Sequence, residues 1–203
     1  MNPHLMQPKN LILASQSQTR MRLLNQAGLR FTALASTADE EDLKITNSKL
    51  RAPELAQCLA LAKAKSINGS TKEDFILGAD QTLSCNGKVF SKPRDRNEAR
   101  EHLKFLRGRT HFLHTAMAVV NNQSVVFEHL AEATLTMRAF SDVFLENYLD
   151  SVDEGAINAV GCYHYEAQGI QLFETVEGDY FTILGLSLLP LLAFLRQTGI
   201  TNP

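Results

Sequence analysis

Asp80 and Lys92 are the two side chains whose types and spacing are best suited to chemistry. The apolar run Phe75-Ile76-Leu77 indicates a buried strand, and Gly78-Ala79 then remove side-chain bulk just before the Asp80 carboxylate. We therefore expect Asp80 at a strand end. The dipeptide Asn86-Gly87 predicts a type I′ hairpin turn that folds Lys92 back toward Asp80. A carboxylate and an ammonium group held close together could position a metal-bound phosphate beside a water molecule. The alternative is that Asp80 and Lys92 form an ordinary surface salt bridge.

A second candidate site follows the short strand predicted at residues 11–14. Ser15, Ser17 and the backbone N–H groups at the start of the next helix form an anion pocket, with Arg20 one turn into that helix. Capping of the helix by Ser17 is the alternative interpretation of the same turn. The turn is therefore compatible with phosphate but does not by itself require it.

Carboxylates and lysines elsewhere in the chain fit the same chemistry. Asp39, Glu40 and Asp80 are hard oxygen ligands of the kind that Mg²⁺ takes, usually one or two per site together with substrate phosphates. Lys63 and Lys92 suit the charge of a polyanion, although each lysine alone is more typical of a solvated surface. Composition and spacing therefore indicate a site for a metal and a phosphate.

Hydrophobic periodicity and turn residues predict an α/β fold with a mixed, twisted sheet. Predicted helices cover residues 21–27, 53–67, 97–106, 142–150 and 187–196, and predicted strands cover residues 11–14, 31–35, 75–77, 115–120, 124–127 and 133–140. Pro53 in a first turn and Ser141 at an N-cap support two of the helices. Strands interleaved with helices, together with hairpins, favour helices packed on the faces of the sheet.

The composition is that of an ordinary globular protein. The 203 residues are 44% hydrophobic and 21% charged, which predicts a single domain over 1–203 or two intimate lobes. A formal net charge of −2 argues against a protein that coats nucleic acid. No apolar run reaches the length of a signal peptide or a membrane span, and the three cysteines form no C-x-x-C pair. We therefore expect a cytoplasmic protein without a membrane partner.

Common catalytic motifs are absent from the sequence. It contains no G-x-x-x-x-G-K-[ST], no G-x-G-x-x-G, no H-E-x-x-H and no G-x-S-x-G. Interpretations as a serine hydrolase or a nucleotide-dependent dehydrogenase therefore lose their main support.

Seven short motifs follow one another along most of the chain. They are Leu11-Ile-Leu-Ala-Ser15-Gln-Ser17-Gln-Thr-Arg20, Asp39-Glu40, Leu59-Ala-x-x-Lys63-Ala, Gly78-Ala-Asp80, Ser91-Lys92-Pro93, Arg107-Gly108-Arg109-Thr110-His111 and Glu177-Gly-Asp-Tyr180. In this order they resemble the motifs of the Maf family of nucleoside triphosphate pyrophosphatases. The resemblance implies an elongated α/β fold with a cleft between two lobes, and frequent homodimers. It also implies hydrolysis of a nucleoside triphosphate to the monophosphate and pyrophosphate with a divalent metal, Mg²⁺ or Mn²⁺.

The resemblance assigns roles to individual positions. Asp80 matches the family's catalytic aspartate, Lys92 the lysine of its G-K-P motif, and Arg20 an arginine of its S-x-S-P-x-R opening. Glu40 and Lys63 match positions that line the cleft. Together with the residue chemistry, this predicts catalytic residues Asp80 and Lys92, metal ligands Glu40 and Asp80, and substrate-binding residues Ser15, Ser17, Arg20 and Lys63.

The chain departs from the family pattern at four positions. Gln18 replaces a proline, Thr19 stands where arginine is frequent, Ser91 replaces the glycine of G-K-P, and Ser187 replaces the proline of a terminal G-L-P. These four changes put the expected contacts with the substrate in question more than the catalytic step, because Asp80, Lys92 and Arg20 are retained. They leave a second interpretation beside the enzyme, a non-catalytic nucleotide-binding regulator of cell division, because the family resemblance also implies a link to septum formation.

The preferred nucleobase of the substrate is indicated by three positions, Thr19, Gln81 and Glu166. The family branch acting on dTTP and UTP has S-P-R-R at the opening, D-T after the strand and a late Gln. The pair Asp80-Gln81 and the late Glu166 instead resemble the branch acting on 7-methyl-GTP. A carboxylate accepts the N1–H and N2–H donors of guanine, and 7-methylation adds a positive charge. We expect a 7-methyl-GTP preference and a house-cleaning role, with a dTTP/UTP-type or broad-range enzyme as the alternative.

Overall fold

The computed structural model describes residues 9–67 and 74–201, which form an α/β fold with a mixed sheet, as predicted. The helices are α1 (Gln18–Gln26), α2 (Glu40–Thr46), α3 (Ala52–Lys65), α4 (Arg96–Leu106), α5 (Asp142–Ser151), α6 (Glu154–Ile157), α7 (Tyr180–Ile183) and α8 (Leu188–Gln197). The strands are β1 (Asn10–Leu13), β2 (Thr32–Ala33), β3 (Asp74–Cys85), β4 (Lys88–Phe90), β5 (Thr110–Asn121), β6 (Ser124–Met137) and β7 (Phe173–Glu177). A 3₁₀ helix covers Gln168–Leu172.

Within the described ranges, seven strands form one sheet in the order β2-β1-β3-β5-β6-β7, with β4 paired to the last part of β3. β1 runs parallel to both β2 and β3. The pairs β3 with β5, β5 with β6 and β6 with β7 are antiparallel. The sheet is therefore parallel at one edge and antiparallel elsewhere.

The central strand β3 is longer than its apolar run indicates, and Asp80 lies in its middle. The prediction of a strand end at Asp80 is wrong because β5 pairs with β3 continuously from Phe75 to Ser84. The neighbour that ends is β1, which stops at Leu13, opposite Leu77. A crevice therefore opens beside β3 at the carboxyl end of β1, a common place for ligand sites in α/β sheets.

The hairpin of β5 and β6 replaces the three shorter strands predicted at residues 115–120, 124–127 and 133–140. The two strands pair from Thr110 with Thr136 to Asn121 with Ser124. Residues 128–132 carry no clear apolar alternation, because β7 pairs with β6 only at residues 134–137 and this part of β6 lies near the sheet edge. Hydrogen bonding to β5 defines the strand where the side-chain pattern does not.

Local turn and cap signals predict the structure well. Asn86 and Gly87 form the predicted hairpin turn with φ values of 51° and 77°. Ser141 caps α5 by accepting a hydrogen bond from the N–H of Phe144 at 3.2 Å. These signals depend on two to four adjacent residues, so they do not require the rest of the fold.

Two hydrophobic clusters flank the middle of β3. Leu77 belongs to a cluster that includes residues of α1 and α8, and Leu83 belongs to one that includes residues of α4 and α5. Asp80 comes between these two leucines in the strand. The last helix, α8, packs into the cluster of Leu77. None of the helices in the described ranges combines the length and apolarity that crossing a membrane requires.

Candidate active site

A buried lysine contacts two carboxylates at the centre of the site. Lys63 Nζ lies 2.6 Å from Asp80 Oδ1 and 3.0 Å from Glu40 Oε1. Lys63 and Asp80 are each 7% exposed. Because Lys63 and Asp80 are held away from water, their charges interact strongly, and Glu40, whose side chain is 43% exposed, adds a more solvated contact to the same nitrogen.

Glu40 reaches Lys63 from the first turn of α2. Asp39 begins this helix by accepting a hydrogen bond from the N–H of Asp42 at 3.0 Å, so it serves as the N-cap. Partial burial raises the pKa of Glu40, but the opposing effects of Lys63, Lys44 and other cations hold its pKa below the usual value. Glu40 is therefore an ionised oxygen donor at neutral pH.

Lys92 lies in the same cleft as Asp80, but Lys63 is the cation bound to Asp80. Both Asp80 and Lys92 line the cleft, as the hairpin prediction requires. Among the described residues, the ion pair of Asp80 is formed with Lys63, and Lys92 is exposed with no carboxylate within 4.0 Å. The positive charge of Lys92 still contributes to the lowered pKa of Glu40. Lys92 is therefore available to an anionic ligand.

Arg20 faces the cleft from α1. Its Nε donates a hydrogen bond to the carbonyl oxygen of Gly185 at 2.9 Å, and within the described ranges no carboxylate lies within 4.0 Å of its guanidinium. Burial lowers the pKa of Arg20, and the charges of Asp80 and Glu40 partly offset this effect. Because arginine stays protonated in proteins, Arg20 provides a positive charge with unused donors.

Ser15 and Ser17 shape the turn between β1 and α1. Ser17 Oγ accepts a hydrogen bond from the N–H of Arg20 at 3.4 Å and caps α1, which is the capping alternative considered above. Ser15 Oγ accepts a hydrogen bond from the N–H of Ser17 at 3.2 Å. Both serines, and Thr19 beside them, line the cleft. Capping and contact with a ligand are therefore compatible at this turn.

Gln81 links β3 to β5 and α7. Its Nε2 lies 2.8 Å from Thr115 Oγ1, 3.0 Å from the carbonyl oxygen of Thr182 and 3.1 Å from that of Ile183. These acceptors occupy the donors of the side-chain amide. The Gln81 carbonyl oxygen is therefore the part of this side chain that remains for a ligand, and it can only accept a hydrogen bond.

Glu166 lies between α6 and the 3₁₀ helix, in a segment held at two points. Arg22 Nη2 donates to Glu166 Oε1, and Tyr163 Oη is hydrogen-bonded to His111 Nε2 at 2.8 Å. A Cβ atom on Gly161 would lie 2.6 Å from Cε1 of Tyr163, so only glycine permits this packing. Burial lowers the pKa of His111 to about 4, and the imidazole is therefore neutral near pH 7.

A single cleft of about 800 Å³ contains ten of the candidate residues that the sequence predicts, whereas Asp39, also offered as a metal ligand, caps α2 and lies outside the cleft lining. The ten are Ser15, Ser17, Thr19, Arg20, Glu40, Lys63, Asp80, Gln81, Lys92 and Glu166. Sequence reasoning missed Lys44, Asn158 and His164, which also line this cleft. Lys44 follows Glu40 by four residues in α2, and this helical spacing was a usable signal. The volume suits a nucleotide-sized ligand.

The donor set of the cleft fits a metal that is shared with a ligand. Among the residues that the structure describes, no group of three or more His, Cys, Asp or Glu side chains is placed to hold a metal alone. Glu40 and Asp80 contact the same cationic nitrogen of Lys63, so their oxygens already converge on positive charge. Mg²⁺ usually takes one or two carboxylates and completes its shell with water and phosphate oxygens.

Comparisons with known proteins place the chain in a family. Residues 10–198 match the model of the Maf-like protein family, and the chain belongs to the Maf family. A nucleoside triphosphate pyrophosphatase from Nitrobacter hamburgensis is 45% identical over 196 residues, which cover 97% of this chain and 97% of the relative. A 7-methyl-GTP pyrophosphatase from Rhizobium meliloti is 47% identical over 191 residues, covering 93% of this chain and 96% of the relative.

Among solved structures, a HAM1 protein from Coxiella burnetii is similar with a TM-score of 0.39 and 14% sequence identity. The match covers 64% of this chain and 74% of that chain.

Proposed function

We propose that this protein hydrolyses nucleoside triphosphates to the nucleoside monophosphate and pyrophosphate with the aid of a divalent metal. The observation that carries the proposal is the contact of Lys63 Nζ with Asp80 Oδ1 at 2.6 Å and Glu40 Oε1 at 3.0 Å, in a cleft that also contains Arg20 and Lys92. Two carboxylates beside several cations suit attack of water on a phosphate group. Membership of the Maf family and the names of the two relatives support the same reaction.

The reaction breaks one phosphoanhydride bond. The oxygen of a water molecule forms a bond to the α-phosphorus while the bond from that phosphorus to the bridging oxygen breaks, and pyrophosphate leaves with the bonding electrons. The water loses one proton, and Asp80 accepts it if the carboxylate acts as general base. Among the described residues, the hydrogen bond to Asp80 uses Oδ1, so Oδ2 remains for water or a metal.

Asp80 has a second role open to it, as a metal ligand that orients the water. Glu40 and Asp80 are the residues that would hold Mg²⁺ or Mn²⁺, which supplies Lewis-acid stabilisation of charge on the phosphate oxygens when bound. Lys63 holds both carboxylates close together in either role. Removal of Asp80 therefore impairs the reaction under both descriptions.

The triphosphate is bound by the cations that lack a carboxylate partner. Arg20 provides unused donors at the start of α1, and Lys92 extends into the cleft from the end of the β3–β4 hairpin. Ser15 and Ser17 lie beside Arg20 at the same turn. These groups neutralise the charge that spreads over the phosphate oxygens in the transition state, which is the largest contribution in most reactions of this type.

We extend the proposal to a preference for 7-methyl-GTP, read by Glu166. Its carboxylate lines the cleft and can accept the N1–H and N2–H donors of guanine, while the charge of the methylated base adds attraction. The Gln81 oxygen adds a further acceptor at the same cleft. Thr19 lines the opening turn near these groups. The 47% identity to a protein named 7-methyl-GTP pyrophosphatase supports this preference.

A pyrophosphate-release assay tests the proposal. Purified protein is assayed with 7-methyl-GTP, GTP, dTTP, UTP and CTP in the presence of Mg²⁺, Mn²⁺ or a chelator. We expect metal-dependent release of pyrophosphate, fastest with 7-methyl-GTP, and a rate for Asp80→Asn that is about 10²–10⁴ lower. The exposed carboxylate of Asp150, in α5, provides the control variant Asp150→Asn. Equal rates for Asp80→Asn and wild type would end this mechanism.

A further inference from the structure

The ion pair of Arg22 and Glu166 joins α1 to the segment that follows α6. Arg22 Nη2 donates to Glu166 Oε1 across 144 residues of sequence. The side chain of Arg22 is 47% exposed, whereas that of Glu166 is 16% exposed. Because the carboxylate is mostly shielded from water, this contact restrains Glu166 more than a fully exposed ion pair does.

The two oxygens of Glu166 have different environments. Within the part of the chain that the structure describes, the hydrogen bond and ion pair of Glu166 use Oε1 alone. A carboxylate has about four lone-pair positions on its two oxygens. Oε2 can therefore still accept hydrogen bonds. Arg22 restrains the carboxylate through Oε1 and leaves Oε2 available to a ligand.

Arg22 acts on the cleft through Glu166 and not directly. Arg20 and Arg22 are two positions apart in α1, about 200° around the helix axis, so their side chains leave in different directions. Arg20 lines the cleft and donates to Gly185, whereas Arg22 is outside the set of lining residues. The helix that presents Arg20 to the phosphates thus also fixes the carboxylate proposed to read the base.

We propose that Arg22 is a positioning residue for base recognition, which rests on the proposed function above. It fixes the rotamer of Glu166 before the nucleotide binds, so less side-chain entropy is lost when the base is bound. Restraint of Glu166 by Arg22 should therefore strengthen binding of the preferred base and leave the chemical step unchanged. Loss of Arg22 should therefore raise KM for 7-methyl-GTP while leaving kcat, and both constants for UTP, nearly unchanged.

A double-mutant cycle tests this proposal, with variants Arg22→Gln, Glu166→Gln and the two combined. We expect Arg22→Gln to raise KM for 7-methyl-GTP about three- to fivefold, the range of a partly exposed ion pair, with kcat within about twofold of wild type. In the Glu166→Gln background the same change should have no further effect, because Arg22 then has no carboxylate to hold. Arg22→Lys should retain most of the preference.

The control is Arg96→Gln, which removes another exposed arginine. Arg96 pairs with Asp150 and is 42% exposed, close to the 47% of Arg22. This variant should leave both substrates unaffected. Thermal unfolding of every variant shows whether a change in KM reflects loss of folded protein.

Three outcomes contradict the inference in different ways. If Glu166→Gln reduces the preference but Arg22→Gln does not, Arg22 has no positioning role and the proposed function stands. A lower KM for 7-methyl-GTP in Arg22→Gln would mean that Arg22 competes with the base. If Glu166→Gln leaves the ratio of 7-methyl-GTP to UTP turnover unchanged, the proposed reading of the base fails, and the role of Arg22 fails with it.

Discussion

A Cβ atom on Gly78 would lie 2.1 Å from the carbonyl oxygen of Ala60, so the backbone of α3 rests directly on β3. Lys63 is on the same face of α3 as Ala60, three residues later, and Asp80 is on the same face of β3 as Gly78, two residues later. The close approach of the two backbones therefore sets the 2.6 Å contact of Lys63 with Asp80.

The first prediction concerns this approach. Gly78→Ala should push α3 away from β3, lower the free energy of unfolding by about 1–3 kcal/mol and reduce pyrophosphate release. Ala79→Gly is the control, because Ala79 is buried on the opposite face of β3 and its change should destabilise the protein by about 1 kcal/mol without moving α3. Urea unfolding and steady-state kinetics measure both effects. Full activity of folded Gly78→Ala would contradict this account.

The second prediction concerns the charge of Lys63. Lys63→Met leaves the carboxylates of Asp80 and Glu40 without their shared cation, so unfolding free energy should fall by about 3–5 kcal/mol. Adding Asp80→Asn should recover part of this loss, because the buried charge is then removed. Lys65→Met is the control on the exposed side of α3. Strictly additive losses in the double variant would show that the two side chains are not coupled.

The third prediction concerns Glu40 and the metal. If Glu40 is a ligand, Glu40→Gln should raise the Mg²⁺ concentration for half-maximal activity on the order of tenfold. Glu41 follows it in the same turn of α2, is exposed and lies outside the cleft lining, so Glu41→Gln should behave as wild type. Metal titrations at saturating nucleotide provide the measurement. An unchanged Mg²⁺ requirement in Glu40→Gln would remove Glu40 from the metal site.

The fourth prediction concerns pH and His111. Its folded pKa of about 4 lies below the unfolded value of 6.5, so between these pH values the unfolded chain binds more protons than the native protein. Stability from this residue is therefore full above pH 6.5 and falls as pH decreases toward 4, by about 2–3 kcal/mol at pH 4.5. His111→Asn should lose this part of the pH dependence. Urea unfolding at pH 7 and pH 4.5 gives the comparison, and equal pH dependence of the two proteins would refute it.

Local features of the fold, and the residues that line the cleft, could be predicted from the sequence. The turn at Asn86-Gly87 and the Ser141 cap depend on a few neighbouring residues, and the structure has them as predicted. The ten candidate residues from Ser15 to Glu166 line one cleft. What these residues do in the reaction stays a prediction.

Tertiary structure alone decided which charges meet. Adjacent position in a hairpin favoured Lys92 as the partner of Asp80, but Lys63 takes that place because Gly78 lets α3 approach β3. Likewise, Asp80 lies within a strand because pairing with β5 continues past the point where β1 ends. Such outcomes depend on distances between segments far apart in the chain, and a one-dimensional pattern of residue types contains no information on those distances.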